Sequence, residues 1–245
     1  MIYRQSSLLR LVALLVASLM ITFASARADY VPQIRVAASD DFEFQSGNLH
    51  PAWEAAEWIS LNQRPAAAHE YTSRFKTLYS EAGIYFLFDG TDQRLTATMQ
   101  DDFDDLWKED VFEVFLWTDE NNPIYFEYEI SPLGKELPIL VPNFDGKFLG
   151  WRPWNFEGER KTRTQVTIRG GTQEPGTAIK GWSAEVFIPY VLLSPLKNVP
   201  PKAGTQWRAN VYRVDYDEQQ MTQWDWSRVG LSFHEFRKFG MLTFE

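Results

Sequence analysis

The chain of 245 residues contains no cysteine and only three histidines, His50, His69 and His234, which are far apart. Without thiols there can be no disulfide, no thiolate nucleophile and no Cys-based zinc site. The scattered histidines form no HExxH pattern, and neither a GxSxG elbow nor a glycine-rich phosphate loop occurs, so the strongly specific hydrolase and nucleotide-binding motifs are missing. Basic residues are scarce: 24 Lys and Arg stand against 33 Asp and Glu, a formal charge of −9. Such an acidic field disfavours nucleic acid and anionic membrane as partners. Apolar runs are short. The longest, at 11–23, is too brief to span a bilayer comfortably.

That run follows Arg4 and Arg10 and leads into ASARA at 24–28, the layout of a secretory signal peptide over residues 1–28. The expectation is an exported protein, periplasmic or secreted, with one domain at 29–245 and no membrane attachment after cleavage. Cleavage would remove three Arg and no acid, taking the charge from −9 to −12. With no disulfide to staple it, such a domain must be held by its core, and its length suffices for one. A monomer is expected.

Aromatic residues, in contrast, are plentiful: 10 Trp, 10 Tyr and 18 Phe make up 16% of the chain, more than an ordinary core uses. They fall within short alternating or apolar runs broken by Gly, Pro, Asn and Asp, such as YTSRFKTLYS at Tyr71, DVFEVFLW at Asp110, IYFEYEIS at Ile124 and QWRANVYRVD at Gln206. This rhythm predicts an all-β chain, a two-sheet antiparallel β-sandwich of immunoglobulin-like or jelly-roll-like form with about ten strands and little helix. HPAWEAAEWI from His50 and IPYVLLSPL from Ile188 offer a helical turn or two at most.

The segment DDLWKEDVFEVFLW carries one carboxylate, Glu113, inside its apolar run. On a strand, Phe112, Val114 and Leu116 face one way while Val111, Glu113, Phe115 and Trp117 face the other. A carboxylate among rings is costly unless a cation, a donor or a ligand satisfies it. An ion pair with Arg213 would do so; so would a bound sugar, whose C–H faces stack on rings and whose hydroxyls need directed partners. A glycosidase would need two carboxylates flanking one bond. Glu127 and Glu129 share a strand face about 6.8 Å apart and keep that alternative open, although the ordinary expectation for two such acids is an exposed sheet face.

The blocks LWKEDVFEVFL, YFEYEISPLG, GWSAEVFIPY, WRANVYRVD and FHEFRKFGMLTF together resemble the carbohydrate-binding module family 9-like group within the wider DOMON-like sandwiches. The resemblance implies a non-catalytic module that grips a mono-, oligo- or polysaccharide in a slot between two aromatic walls, in a family often attached to xylan-degrading enzymes. Residue by residue it implies Trp107 and Phe233 as the walls, Glu113 as acceptor of sugar hydroxyls, and Tyr212 and Arg213 as further polar contacts. It implies no catalytic residue and no obligatory cofactor. Calcium is possible, with QDDFDDLWKED as an oxygen-rich stretch for it, although without EF-hand spacing. Related sandwiches hold haem through Met and His, for which Met99 and His234 are the candidates here.

Overall fold

Burial on both faces sets the position of the central strands in the computed structural model, which describes residues 31–65, 69–144, 147–154 and 156–245. The proposed signal peptide lies outside the described residues. Among the described residues fifteen strands form. They are β1 (Gln33–Ala38), β2 (Ile59–Ser60), β3 (Asn62–Gln63), β4 (Ser73–Tyr79), β5 (Gly83–Gly90), β6 (Val111–Trp117), β7 (Ile124–Ile130) and β8 (Glu136–Phe144). The series continues with β9 (Lys147–Phe148), β10 (Arg152–Pro153), β11 (Arg163–Arg169), β12 (Gly181–Pro189), β13 (Gln206–Asp215), β14 (Thr222–Asp225) and β15 (Gly240–Phe244).

One layer runs β10-β8-β7-β6-β13-β15-β1 and the other β1-β4-β5-β12-β11, so β1 belongs to both. Residues 33–36 of β1 pair in parallel with β15, and Ala37 and Ala38 then pair in parallel with β4. The remaining ladders are antiparallel among the described residues. The sandwich is therefore as expected, but its strands exceed ten because four of the fifteen are two-residue pairings too short to leave a periodic signal.

Strand β8 is longer than its sequence, ELPILVPNF, suggests, since two prolines ordinarily argue against a strand interior. The carbonyls of Pro138 and Pro142 accept from Trp154 and Leu149, on the side of β10 and β9. The donors that proline lacks therefore face that short outer hairpin, and the long ladder with β7 stays whole. RLTATM at Arg94 makes only an isolated bridge, Arg94 to Ala178. The two weak helical segments become a 3-10 turn at Pro51–Ala55, capped by His50, and one α-turn at Tyr190–Leu193.

The main core lies between the layers and includes Phe75, Phe88, Phe112, Val114, Phe126, Trp182, Trp207 and Trp224. Each such side chain contributes roughly 1.5–3 kcal/mol on burial. A second apolar cluster covers the outer face of β6, where Val111, Phe115 and Trp117 meet Tyr125, Leu137, Tyr212, Phe236 and Phe239. All seven residues of β6 are buried as a result. The alternation read from its sequence holds, with Glu113 on the outer face.

Inside the main core lies one charged knot. The Arg213 guanidinium is fully buried and donates to Asp92 at 3.0 Å and Asp215 at 2.6 Å, to the Thr91 carbonyl at 2.7 Å and to Ser73 at 3.1 Å. Gly90 admits it, since a Cβ there would lie 2.4 Å from Nη1. Removing the Arg strands two buried carboxylates, so Arg213→Met is expected to cost about 3–5 kcal/mol in denaturant unfolding. Gly90→Ala should destabilise by about 1–3 kcal/mol through the clash alone. An Arg213 variant of unchanged stability would show that the knot is dispensable.

Candidate functional site

Trp107 sits on a 3-10 turn, Leu106–Lys108, that leads into β6. Buried Leu106 anchors the turn in the outer cluster, and the Tyr216 hydroxyl donates to the Trp107 carbonyl at 3.1 Å. Asp110 fixes the start of the strand: its carboxylate accepts from the backbone of Thr96 at 2.6 Å and of Tyr216 at 3.0 Å. The ring of Trp107 is thus held at the mouth of a cleft of about 240 Å³ on the outer face of β6 and β7. Across that cleft stands Trp151, with ring centroids 6.2 Å apart and planes at 75°. The two rings form a corner. Phe148 continues this wall and stacks on His234 at 4.1 Å.

The floor is acidic. Register pairs Glu113 directly with Glu129 of β7, and Glu127 lies two residues away on the same face. Candidate ligand oxygens of the three carboxylates lie within 4.8 Å of one another. The residues are only 1–4% exposed, yet each has a buried oxygen without a hydrogen-bond partner. Glu127 and Glu129, two residues apart on one strand face, interact directly with each other. Burial raises the Glu113 and Glu129 carboxyls well above the usual carboxylate range, with repulsion inside the triad adding to it, and pushes Glu127 up to about 8. His234, on the rim, offers no counter-charge. Burial lowers it to about 4, and Tyr125 lies within hydrogen-bond distance of its Nδ1, at 2.6 Å.

Of the residues proposed from the sequence, Trp107 and Glu113 meet in this cleft and three do not. Arg213 is opposite Phe112 in register, on the inner face, where Asp92 and Asp215 hold it. It neither lines the cleft nor pairs with Glu113, because residues on the Phe112 side cannot reach the other side of the sheet. Tyr212 is opposite Glu113 but fully buried; its hydroxyl accepts from Asn210 at 2.7 Å and donates to the Phe233 carbonyl at 2.8 Å. Phe233 stacks on Tyr212 at 4.0 Å with Arg64 over its ring, packing into the outer cluster instead of lining the cleft. Trp151 takes the place proposed for it. Glu127 and Glu129 are buried neighbours of Glu113, not members of an exposed face.

The oxygen-rich loop does not gather ligands: Asp102 accepts from the Glu136 backbone, Asp104 from the Asp101 backbone, and Asp105 pairs with Lys108. Elsewhere Asp92, Asp110 and Asp215 converge within 4.8 Å. Every one of their carboxylate oxygens already accepts from Arg213 or from a backbone N–H, so the guanidinium fills the role a calcium ion would have. Haem fits no better. The cleft is below the roughly 300–1,000 Å³ of pockets that enclose larger ligands, and the His234 ring is stacked against Phe148 and Phe115.

The fold and cleft define a β-sandwich with an aromatic-cornered acidic cleft on one outer face. Residues 46–134 match the family model described as carbohydrate family 9 binding domain-like. Over that stretch the chain is similar to this family, and the solved structures below share its fold. A curated relative, named only as an extracellular protein of Arthroderma benhamiae, is 28% identical over 184 residues, 71% of this chain and 75% of that one. Among solved structures, a candidate carbohydrate-binding protein from Bacteroides uniformis superposes with TM-score 0.69 at 16% identity, covering 88% of this chain and 100% of that one. A family 9 module from Caldicellulosiruptor kristjanssonii in complex with cellotriose gives 0.59 at 15% identity, over 86% of this chain and 94% of the module. A family 9 module from the same organism in complex with glucose gives 0.60 at 14% identity, over 86% of this chain and 96% of that one.

The pH response of the fold follows from the buried acids. A carboxyl whose pKa rises on folding binds its proton more tightly in the native state, so stability falls as pH climbs toward the folded value. His234 acts oppositely, but only below its ordinary 6.5. Between 6.5 and about 8 the unfolding midpoint is therefore expected to fall with pH, and Glu127→Gln should flatten the slope. A midpoint rising across that window would contradict the burial of the triad.

Proposed function

We propose that the protein binds carbohydrate non-covalently, with one sugar ring against the Trp107–Trp151 corner and Glu113 accepting from its hydroxyls. The observation that carries this reading is the set of buried, unpartnered carboxylate oxygens opening into a cleft with two tryptophans at its mouth. Carboxylates accept from adjacent hydroxyls, and indole faces cover C–H faces. A cleft of about 240 Å³ suits a single ring better than a buried chain. The sugar-bound family 9 neighbours support carbohydrate as the ligand class.

The reading needs no cofactor, nucleic acid or membrane, and the binding unit is one copy of the chain. The extracellular relative and the leader-like residues 1–28 support export, to the periplasm or beyond. A part in polysaccharide breakdown would then be that of holding substrate. Glycosidase chemistry is less well served: oxygens of Glu127 and Glu129 lie within 4.8 Å of each other, closer than the roughly 5 Å or more that flanks a scissile bond.

Calorimetry against a panel of oligosaccharides tests the proposal. Trp107→Ala and Trp151→Ala should each lose about fivefold or more in affinity while the unfolding midpoint changes little, stacking being worth on the order of 1 kcal/mol. Phe233→Ala, by contrast, should destabilise the fold and leave the affinity of the folded fraction intact. Wild-type affinity in both Trp variants would remove the cleft from consideration, and reducing-sugar release that depends on Glu127 or Glu129 would replace binding with hydrolysis.

A further inference from the structure

Sugar hydroxyls alone leave the charge of this cleft unexplained. Three carboxylates on adjacent strands point one oxygen each at a shared space, and no Lys or Arg among the described residues forms an ion pair with any of them. The charged groups nearby are committed elsewhere. Arg64, whose field reaches Glu113, is tied to Asp225 at 3.1 Å; Lys108, over the Trp107 ring, is exposed and tied to Asp105. Asp105 adds to the negative field on Glu129. His234, Tyr125, Tyr212 and Tyr216 complete the titratable surroundings and bring no positive charge, the tyrosines being neutral and His234 deprotonated.

We infer that the cleft selects a cationic saccharide, a protonated amino sugar of the glucosamine type, whose ammonium group sits among Glu113, Glu127 and Glu129 while its ring lies on the tryptophan corner. This rests on the carbohydrate reading above. An ammonium carries three donors, matching three orphaned acceptors, and its charge offsets the repulsion that now keeps protons on the triad. The Trp107 and Trp151 faces attract cations as well as C–H groups. A neutral sugar offers donors without charge, an N-acetylated sugar adds bulk without charge, and a uronic acid is repelled. Calcium calls for six to eight oxygens. Here the three carboxylates offer one oxygen each to the shared space, and Phe115, Ile139 and Phe148 line the rest of the cleft with carbon. Ammonium binding should return the triad's proton to solvent.

The decisive measurement is titration calorimetry of the full chain at neutral pH with glucosamine oligomers, N-acetylglucosamine oligomers and cello-oligosaccharides, each with added calcium and with a chelator. The expected result is about tenfold or tighter binding of the glucosamine series over both others. It should be unaffected by chelator, with a heat that depends on the buffer because protons are released. Glu129→Gln should narrow the preference. Equal or weaker binding of the glucosamine series, or binding that requires calcium, overturns the amino-sugar assignment and leaves carbohydrate binding standing. Failure of all three series to bind overturns both.

Discussion

Strand β6 is covered on both faces, and the rest of the molecule is organised around that burial. Its inner residues Phe112, Val114 and Leu116 close the main core, while Val111, Phe115 and Trp117 lie beneath a second apolar layer brought by Phe236 and Phe239. An outer sheet face can be left to water at no cost. Here it is roofed, so any polar side chain it carries must be satisfied locally or remain costly. Glu113 is that side chain, and β7 adds Glu127 and Glu129 beside it where simple alternation would have accommodated apolar residues.

Two acid clusters lie on opposite sides of this sheet and show what satisfaction looks like. Asp92, Asp110 and Asp215 are as buried as the glutamates, but Arg213 and four backbone N–H groups use every oxygen. That cluster ties β6, β13 and the loop after β5 together, and its geometry closes on itself. The glutamate triad has the same density of charge and lacks the donors. Both clusters retain the cost of removing carboxylates from water, and only the first recovers it within the chain. Unsatisfied polar groups in a well-packed protein mark places where something else completes the structure.

Much of this was legible in the sequence. The period-two pattern of VFEVFLW assigned Glu113 to the ringed face, and Trp107 emerged from its spacing to that residue within the family motif. Arg213 was misplaced because a motif records neighbours along the chain, whereas the pleat assigns faces; its parity with Phe112 in the β6–β13 register sends it inward. Strand β8 was hidden by Pro138 and Pro142, whose missing donors are harmless only given which side β7 occupies. Trp151 could not be found by periodicity, since it lies between two-residue strands, and only the turn of β9 back onto β8 brings its ring to Trp107.

The same contrast bears on how a cleft of the proposed kind would acquire a ligand preference. The aromatic corner is generic, because any sugar ring has a C–H face to offer, so the discriminating chemistry must lie on the floor, where β6 and β7 are paired by the ladder from Phe112 to Leu116. A rigid ladder fixes the separation of Glu113 and Glu129 whatever the ligand. Changing the side chains at those positions therefore alters charge without moving the scaffold, and a sheet already roofed on that side tolerates the change only if ligand or proton neutralises it. Neutralisation by protons is what burial imposes on the free protein. Occupancy by a cation would substitute for it, making the cost of burying three acids the basis of selectivity.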